Sequence, residues 1–270
     1  MVTTDKVFAG SIPEIYDRLL VPLIFDFYAR DMAGRIAAAK PQRVLETAAG
    51  TGVLTRAMTA RLPPGASIVA TDLNQPMLDR AASQHPPDPR LTWRQADALA
   101  LPFPEQTFDL VACQFGAMFF PDKVQGYREA HRVLKPGGRF CFSVWDKIED
   151  NEYAHAVTHA LADMFPADPP RFLARTPHGY CDTDLIRSQL AAAGFAAVTC
   201  EGIDGRSPAT SPRHPAVAYC QGTPLRNEIE ARDASRLAEA TDRAAGEVAR
   251  RFGPGPSDAR MRAIVVTASR

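Results

Sequence analysis

Glu46, Gly50, Gly52 and Asp72 are the residues of this chain whose types and spacing could do chemistry. The glycines sit in the run Val44-Leu45-Glu46-Thr47-Ala48-Ala49-Gly50-Thr51-Gly52-Val53-Leu54, which reads as a buried strand, a glycine turn and the first turn of a helix. Asp72 follows Gly52 by twenty positions, at the end of a second short apolar run, Ser67-Ile68-Val69-Ala70-Thr71. On an open α/β sheet this pairing describes a nucleoside pocket, with a carboxylate placed to take ribose hydroxyls. A dinucleotide fingerprint needs a third glycine, so that the backbone can approach a pyrophosphate closely. Thr55 stands at that position. Glu46 ahead of the turn would repel a pyrophosphate and suits a ligand carrying an ammonium or sulfonium charge. Both features turn the reading away from NAD.

His155 and His159 are four residues apart and share one helix face. Two such histidines make half a metal site, but His155-Ala156-Val157-Thr158-His159 lacks the glutamate of a zincin and no third ligand is evident. No metal is therefore expected. The pair is read either as a pocket-facing base or as a surface or packing feature.

These residues need a scaffold, and the sequence describes one. Ser11-Ile12-Pro13-Glu14 is a capping box, and Ile12, Ile15, Leu19 and Leu20 share a face of the helix that follows. Pro22 should kink or restart that helix before Phe25 to Ala39. From residue 43 strands and helices alternate. Strands are predicted at Arg43 to Thr47, Ile68 to Thr71, Leu91 to Ala96, Phe108 to Phe115 and Arg139 to Trp145. Between them Val53, Leu54, Ala57, Met58 and Leu62, and then Met77, Leu78, Ala81 and Ala82, recur at helical spacing. Asp122 can cap a helix running to Leu134, which Pro136-Gly137-Gly138 ends. The alternation implies a mostly parallel sheet covered on both faces. Beyond Asp146 the pattern is mixed: a helix over Tyr153 to Phe165, another over Thr183 to Ala193, and a strand near Ala196 to Ile203. Arg-, Glu- and Ala-rich helices then run to Arg251, and a last strand follows at Arg262 to Ala268.

Composition limits the function classes. Lys plus Arg and Asp plus Glu both number 31, so the net charge is zero, whereas a protein gripping a phosphate backbone needs a basic excess. Apolar residues make up 46%, enough for a sizeable core. The N-terminus has no signal pattern, and the apolar stretch Val21 to Phe25 is far short of a membrane span. Cys113, Cys141, Cys181, Cys200 and Cys220 are widely spaced and lack any CxxC, as reduced cysteines of a cytoplasmic protein would be.

Four blocks, taken in order, carry a specific resemblance: Val44 to Gly52 (VLETAAGTG), Ala70 to Leu78 (ATDLNQPML), Gln95 to Gly116 (QADALALPFPEQTFDLVACQFG) and His131 to Phe140 (HRVLKPGGRF). Over roughly residues 40 to 145 the chain resembles a class I S-adenosylmethionine-dependent methyltransferase of the small-molecule type, similar to the ubiquinone and menaquinone biosynthesis enzymes. The resemblance implies that Glu46 takes the place of the family's first-motif acid, near the methionine moiety. Ala48 stands where the family often has its first glycine, and Gly50, Thr51 and Gly52 pass under the methionine and ribose. Asp72 would accept hydrogen bonds from both ribose hydroxyls. Leu73 and Met77 would flank the adenine, whose edge Asp97 and the Ala98 amide would read. Cys113, Gln114 and Phe115 would line the methionine end.

The fold expected is Rossmann-like α/β: a seven-stranded, mostly parallel sheet with an antiparallel last strand, helices on both faces and a helical cap over the acceptor pocket. Residues 1–270 would form one methyltransferase domain, with 1–40 a helical lid, 41–146 the cofactor-binding half, and 147–270 the acceptor-side helices and last two strands. The expected reaction is O-, N- or C-methylation of a small organic acceptor by in-line displacement, with S-adenosyl-L-methionine as donor and S-adenosyl-L-homocysteine as product. Positioning and desolvation supply most of such a reaction's barrier reduction. Where a base is needed, His155, His159, His131 and Tyr16 are the candidates; Tyr16 and Tyr28 otherwise pack the front helix. Phe8, Tyr16, Phe115, Phe119, Trp145 and Tyr180 would line an apolar, aromatic acceptor pocket. No nucleic acid, membrane span or metal is expected, and the sequence does not specify an oligomeric state. Two other readings stay open: a non-catalytic S-adenosylmethionine or S-adenosylhomocysteine binder, and an NAD-dependent oxidoreductase.

Overall fold

The computed structural model describes residues 10–270. In chain order the elements are α1 (Ile12–Ile15), α2 (Asp26–Ala38), β1 (Arg43–Glu46), α3 (Val53–Thr59), β2 (Ser67–Asp72), α4 (Gln75–Gln84), β3 (Leu91–Gln95), β4 (Phe108–Gln114), α5 (Lys123–Val133) and β5 (Leu134–Trp145). They continue with α6 (Glu152–Met164), α7 (Phe172–Arg175), α8 (Thr183–Ala192), β6 (Val198–Ala209), α9 (Arg213–Gly222), α10 (Leu225–Asp233), α11 (Leu237–Phe252) and β7 (Ser257–Ser269).

The strands form one sheet in the order β3-β2-β1-β4-β5-β7-β6. β1 pairs parallel to β2 (Leu45↔Val69) and to β4 (Leu45↔Val111), and β3 and β5 join β2 and β4 in the same sense. β7 runs the other way: Gly137 N–H donates to Arg270 O while Arg270 N–H donates to Gly138 O. On its far side Ala196 N–H reaches Ser269 O and Ser269 N–H reaches Ala197 O. The sheet is therefore the expected mixed one, with the last strand antiparallel. Some strands are longer than the apolar runs alone predict. β5 starts at Leu134, because Leu134 already pairs with Phe108 before a register shift near Leu110. Asp122 does cap α5, accepting from Gln125 N–H at 2.9 Å.

The front of the chain departs from expectation. Ser11 makes no capping bond; its hydroxyl instead accepts from Arg226 Nη1 at 2.8 Å. Pro22 neither breaks nor restarts the helix. Tyr16–Phe25 widens to a π-helix in which Asp26 N–H reaches back to Val21 O, and a wider turn tolerates the ring and the missing donor. Phe8 lies outside the described residues.

The described chain divides into two compact units, each built from discontinuous segments. A helical unit comprises the chain up to Phe27, Trp145–Tyr180 and Asp204–Ala263. In it α11 packs against α6 and α9 through small residues, Ala240 and Ala244 among them. A sheet unit comprises Tyr28–Val144, Cys181–Ile203 and Ile264–Arg270. One side of its core joins Met32 and Ile36 of α2 to Leu54 and Met58 of α3 over Val44, Ile68 and Leu110. On the other side Tyr127 of α5 meets Phe140 and Phe142 of β5, at 5.7 and 5.4 Å between ring centroids. Strands buried on both faces need apolar residues at every position, which is why their runs were legible without alternation.

At the amino ends of the central strands one carboxylate joins three of them. Asp109 of β4 accepts from the N–H groups of Gln42 and Arg43 (2.9 and 2.7 Å) and from Lys135 Nζ of β5 (2.6 Å). Asp109→Ala removes all three bonds and should lower stability by about 1–3 kcal/mol. Chemical unfolding in urea measures this, and an unchanged midpoint would mean that water replaces the carboxylate without loss.

Candidate functional site

At the carboxyl end of β1 the backbone enters the left-handed region repeatedly. Ala48, Gly50 and Gly52 have φ of +53, +57 and +79°. Two of these positions carry glycine, for which that conformation costs little, and Ala48 carries a methyl group there at some strain. Side-to-side bonds fix the turn. Asp72 Oδ2 accepts from Gly50 N–H at 2.8 Å, and Ala49 N–H donates to Thr71 O at 2.9 Å. Asp72 Oδ1 accepts from Asn74 N–H at 2.8 Å. The carboxylate at the end of β2 is thus oriented by its own strand's exit and by the glycine turn, with lone pairs left for other donors.

Glu46 is fully buried and its Oε2 accepts from Thr55 Oγ1 at 2.5 Å. The threonine that replaces a third glycine is therefore the partner of the acid that precedes the turn. Burial pushes the Glu46 carboxyl up to about 8; the Thr55 hydroxyl pulls it down, and the nearby Asp72 charge pushes it further up. Burial raises Asp72 too, against the N–H bonds from Asn74 and Gly50. Two buried carboxylates this close make a site whose electrostatics favour a cation. Thr51 Oγ1, in the same turn, is buried with no hydrogen-bond partner among the described residues. An orphaned hydroxyl, a cation-favouring acid and a ribose-compatible carboxylate together fit the zwitterionic end and ribose of S-adenosylmethionine.

The close approaches explain which residues the turn requires. A Cβ on Gly52 would meet Trp93 Cη2 at 2.9 Å and Ala81 Cβ at 3.2 Å. A Cβ on Gly116 would meet Ala48 Cβ at 2.3 Å and Cys113 Sγ at 2.9 Å, so Ala48 is accommodated only because glycine faces it. Phe115, just past β4, is also left-handed at φ +52°. Its N–H donates to Ser143 O (3.1 Å) and Ser143 Oγ (3.3 Å), and its ring meets Tyr28 edge-on at 5.4 Å.

Of the residues singled out in the sequence, Glu46, Ala48, Gly50, Thr51, Gly52 and Asp72 stand together at the ends of β1 and β2. Met77 on α4 is buried, its methyl 3.7 Å from where a Gly50 Cβ would lie, whereas Leu73 is 44% exposed. Gln114 closes β4, buried, in register with Ser143. Asp97 and Ala98 follow β3, and Asp97 Oδ1 accepts from Leu99 N–H at 2.9 Å.

The catalytic candidates have partners of their own. His155 Nδ1 lies 3.3 Å from Arg251 Nη1, and His159 Nδ1 lies 3.5 Å from Asp163 and 3.8 Å from Glu247, so both join the charged seam between α6 and α11. Tyr16 stacks on Phe25 at 5.1 Å within the helical unit. His131 of α5 meets Phe195 edge-on at 5.1 Å. Tyr16, Trp145 and Tyr180 belong to the helical unit, Phe115 and Phe119 to the sheet unit. Among the described residues no group of three or more His, Cys, Asp or Glu could hold a metal, and no helix is long and apolar enough to cross a membrane.

Sequence reasoning passed over Thr55 as the partner of Glu46, Asn74, Gly116 and Ser143. Asn74, two residues after Asp72, was findable as an Asx turn; the others need the fold. It also passed over His178 of the helical unit, whose Nδ1 lies 2.8 Å from Asp146 O and whose ring lies 6.0 Å from that of Trp145. Burial pushes this imidazole down to about 4, so it is neutral at pH 7, with Nδ1–H donating to the carbonyl.

A family model described as a methyltransferase domain matches residues 45–142. The ubiquinone/menaquinone biosynthesis C-methyltransferase UbiE of Burkholderia vietnamiensis is 35% identical over 175 residues, covering 60% of this chain and 71% of that protein. Among solved structures, the YcgJ protein of Bacillus subtilis aligns with a TM-score of 0.55 at 21% identity, over 89% of this chain and 98% of that one. The [4+2]-cyclase SpnF aligns with a TM-score of 0.56 at 20% identity, over 90% and 80%. The structures share the fold and the relative shares the family: this chain belongs to the UbiE-like S-adenosylmethionine-dependent methyltransferases.

Proposed function

We propose that the protein transfers the methyl group of S-adenosylmethionine to a small organic acceptor and releases S-adenosylhomocysteine. The observation that carries this reading is the pair of buried carboxylates, Glu46 and Asp72, at the ends of neighbouring strands around a left-handed turn. When bound, the donor would supply a sulfonium methyl carbon open to in-line attack by an acceptor electron pair, with the neutral thioether as leaving group and the acceptor's proton passing to solvent. The chain's own contribution is then to bind and orient. Asp72 accepts from the ribose hydroxyls with the lone pairs that Gly50 and Asn74 leave free. Glu46 and the unpartnered Thr51 hydroxyl of the same turn take the amino-acid end. Leu73 and Met77 flank the base, Asp97 and the Ala98 N–H read its edge, and the backbone at Gln114 and Phe115 borders the methionine.

Displacement from a sulfonium has a good leaving group, so positioning and exclusion of water can supply most of the rate. The reading asks for no base from His155, His159 or Tyr16. A relative named for C-methylation in ubiquinone and menaquinone biosynthesis makes electron-rich aromatic rings the first acceptors to test. The zero net charge argues against a nucleic-acid acceptor. With five free cysteines, two of them only partly buried, we place the protein in the reducing cytoplasm.

The deciding experiment measures S-adenosylhomocysteine formed from S-adenosylmethionine with phenols, quinols, amines and acids, beside calorimetric titrations with S-adenosylhomocysteine and NAD. Turnover with one acceptor class and no NAD binding are expected. Tight S-adenosylhomocysteine binding without turnover on any acceptor would instead identify a non-catalytic binder, a reading that a fold shared with a cyclase keeps in view. Asp72→Ala should weaken S-adenosylhomocysteine binding by about 100-fold, the worth of a charge-assisted bidentate contact; unchanged affinity rejects the ribose assignment.

The Glu46 carboxyl, at about 8 when buried, adds a pH signature. An ammonium group favours its ionised form, so binding below pH 8 expels a proton and affinity for S-adenosylhomocysteine rises with pH up to about 8. In the free protein the sign is opposite for stability. Between the ordinary value of 4.5 and about 8 the folded state holds the proton that the unfolded state has lost, so stability falls as pH rises through that window. Glu46→Gln should flatten both profiles, measured by calorimetry and thermal unfolding from pH 5 to 9, and slopes that persist would assign the proton elsewhere.

A further inference from the structure

The segment between β3 and β4 carries Asp97 and Ala98, yet it has few bonds of its own. Ala100 N–H donates to Asp97 O, Leu99 N–H to Asp97 Oδ1 and Phe103 N–H to Leu101 O. Ala96 N–H at its start reaches Asp72 O, and Gln106 and Thr107 N–H at its end reach Arg132 O and Val133 O. Between these, Leu99, Leu101 and Phe103 are gripped from α5 by three side chains on one helix face, Gln125, Glu129 and Arg132. Gln125 Nε2 donates to Leu99 O at 3.1 Å. Glu129 Oε2 accepts from Leu101 N–H at 2.7 Å, and Arg132 Nη2 donates to Leu101 O at 2.9 Å, so both polar groups of Leu101 are taken. Arg132 Nη1 donates to Phe103 O at 2.8 Å.

The grip is itself rigid. Arg132 forks onto Glu129, Nε to Oε1 at 2.8 Å and Nη2 to Oε2 at 2.7 Å, and this partner lowers the Glu129 carboxyl so that it stays ionised at neutral pH. Asp122 caps the same helix turn through Gln125 N–H. The Phe103 ring lies edge-on to Phe108 at 5.3 Å, and the Arg94 guanidinium lies over the Phe103 ring at 5.1 Å. A connected path therefore runs from α5 to the acid: Gln125 fixes Leu99, and Leu99 N–H fixes the Asp97 carboxylate.

We propose that Gln125, Glu129 and Arg132 are positioning residues that set the nucleobase selectivity of the cofactor site, by holding the Asp97–Ala98 segment in register with the base edge. The inference rests on the reading of Asp97 and the Ala98 N–H as adenine contacts. It goes beyond that reading in assigning part of the selectivity to α5, through the backbone that its side chains hold. Hydrogen-bond readout of a base tolerates displacements of only about 0.5 Å, so a loosened segment would lose discrimination before it loses binding.

The test compares calorimetric affinities for S-adenosylhomocysteine and its deaminated analogue, S-inosylhomocysteine, whose base edge presents an acceptor where adenine presents an amino donor. Wild type should prefer the adenine ligand by about tenfold or more, and Asp97→Ala should remove most of the preference, leaving only the share read by the Ala98 N–H. Gln125→Ala, Glu129→Gln and Arg132→Lys, the last keeping the charge without the fork, should each shrink the preference by about threefold or more. A variant that is partly unfolded loses binding stoichiometry for both ligands alike and leaves the ratio intact, so misfolding cannot imitate the expected result. If Asp97→Ala collapses the ratio while all three α5 variants keep it, the positioning role is overturned and the adenine reading stands. If Asp97→Ala keeps the wild-type ratio, the adenine reading falls and this inference falls with it.

Discussion

The bond from Gly50 N–H to Asp72 Oδ2 is the contact on which the rest of the site depends. It ties the turn after β1 to the end of β2, and it can form only if the backbone between Ala48 and Gly52 takes its left-handed course. That course brings Gly52 against Trp93 and Ala81, and Ala48 against Gly116 beyond β4. Three strand ends are thereby locked to one another by a single loop geometry. A ligand lying across those ends meets donors and acceptors already oriented, which reduces the ordering cost of binding.

Electrostatics oppose that arrangement in the free protein. Two carboxylates are buried near one another, and burial raises the proton affinity of both. Asp72 is offset by N–H groups from Gly50 and Asn74, whereas Glu46 has one hydroxyl, that of Thr55. The asymmetry matters. In the proposed reading Asp72 faces the ribose hydroxyls and Glu46, with its single hydroxyl donor, faces the positive charge. Burial penalises both acids, and Glu46, with the fewer donors, would gain from a cationic ligand.

Much of this was legible in the sequence because it depends on local rules. Buried parallel strands advertise themselves as apolar runs, the glycines mark the turn, and the twenty-residue interval to Asp72 follows from one helix and one strand. What escaped depends on partners distant in sequence. Thr55 looked like a missing glycine until its hydroxyl was seen to reach Glu46. Gly116 gave no signal because its constraint is the Ala48 methyl on another strand end. Ser11 and Glu14 have a capping-box spacing, yet Arg226 takes the serine hydroxyl. Pro22 signals a break by local rules, but the Tyr16–Phe25 helix absorbs it by widening. The histidines of α6 share a face as their spacing required, and only the fold shows that α11 lies across that face with Arg251 and Glu247.

Ala48 and Phe115 sharpen the point about strain. Neither is glycine, both are left-handed, and each costs about 1–2 kcal/mol relative to an ordinary backbone conformation. They follow the ends of β1 and β4, which pair directly at Glu46↔Ala112, and Gly116 stands between their demands. Such conformations persist only where the surroundings over-determine them. Here the surroundings are identifiable: Asp72 and Thr71 fix the turn after Ala48, while Ser143 and the Tyr28 ring fix Phe115. Tyr28 is in turn anchored, its hydroxyl donating to Ile203 O at 3.1 Å. Strain concentrated where two neighbouring strands end, and braced from both sides, is the pattern of a site shaped for a ligand.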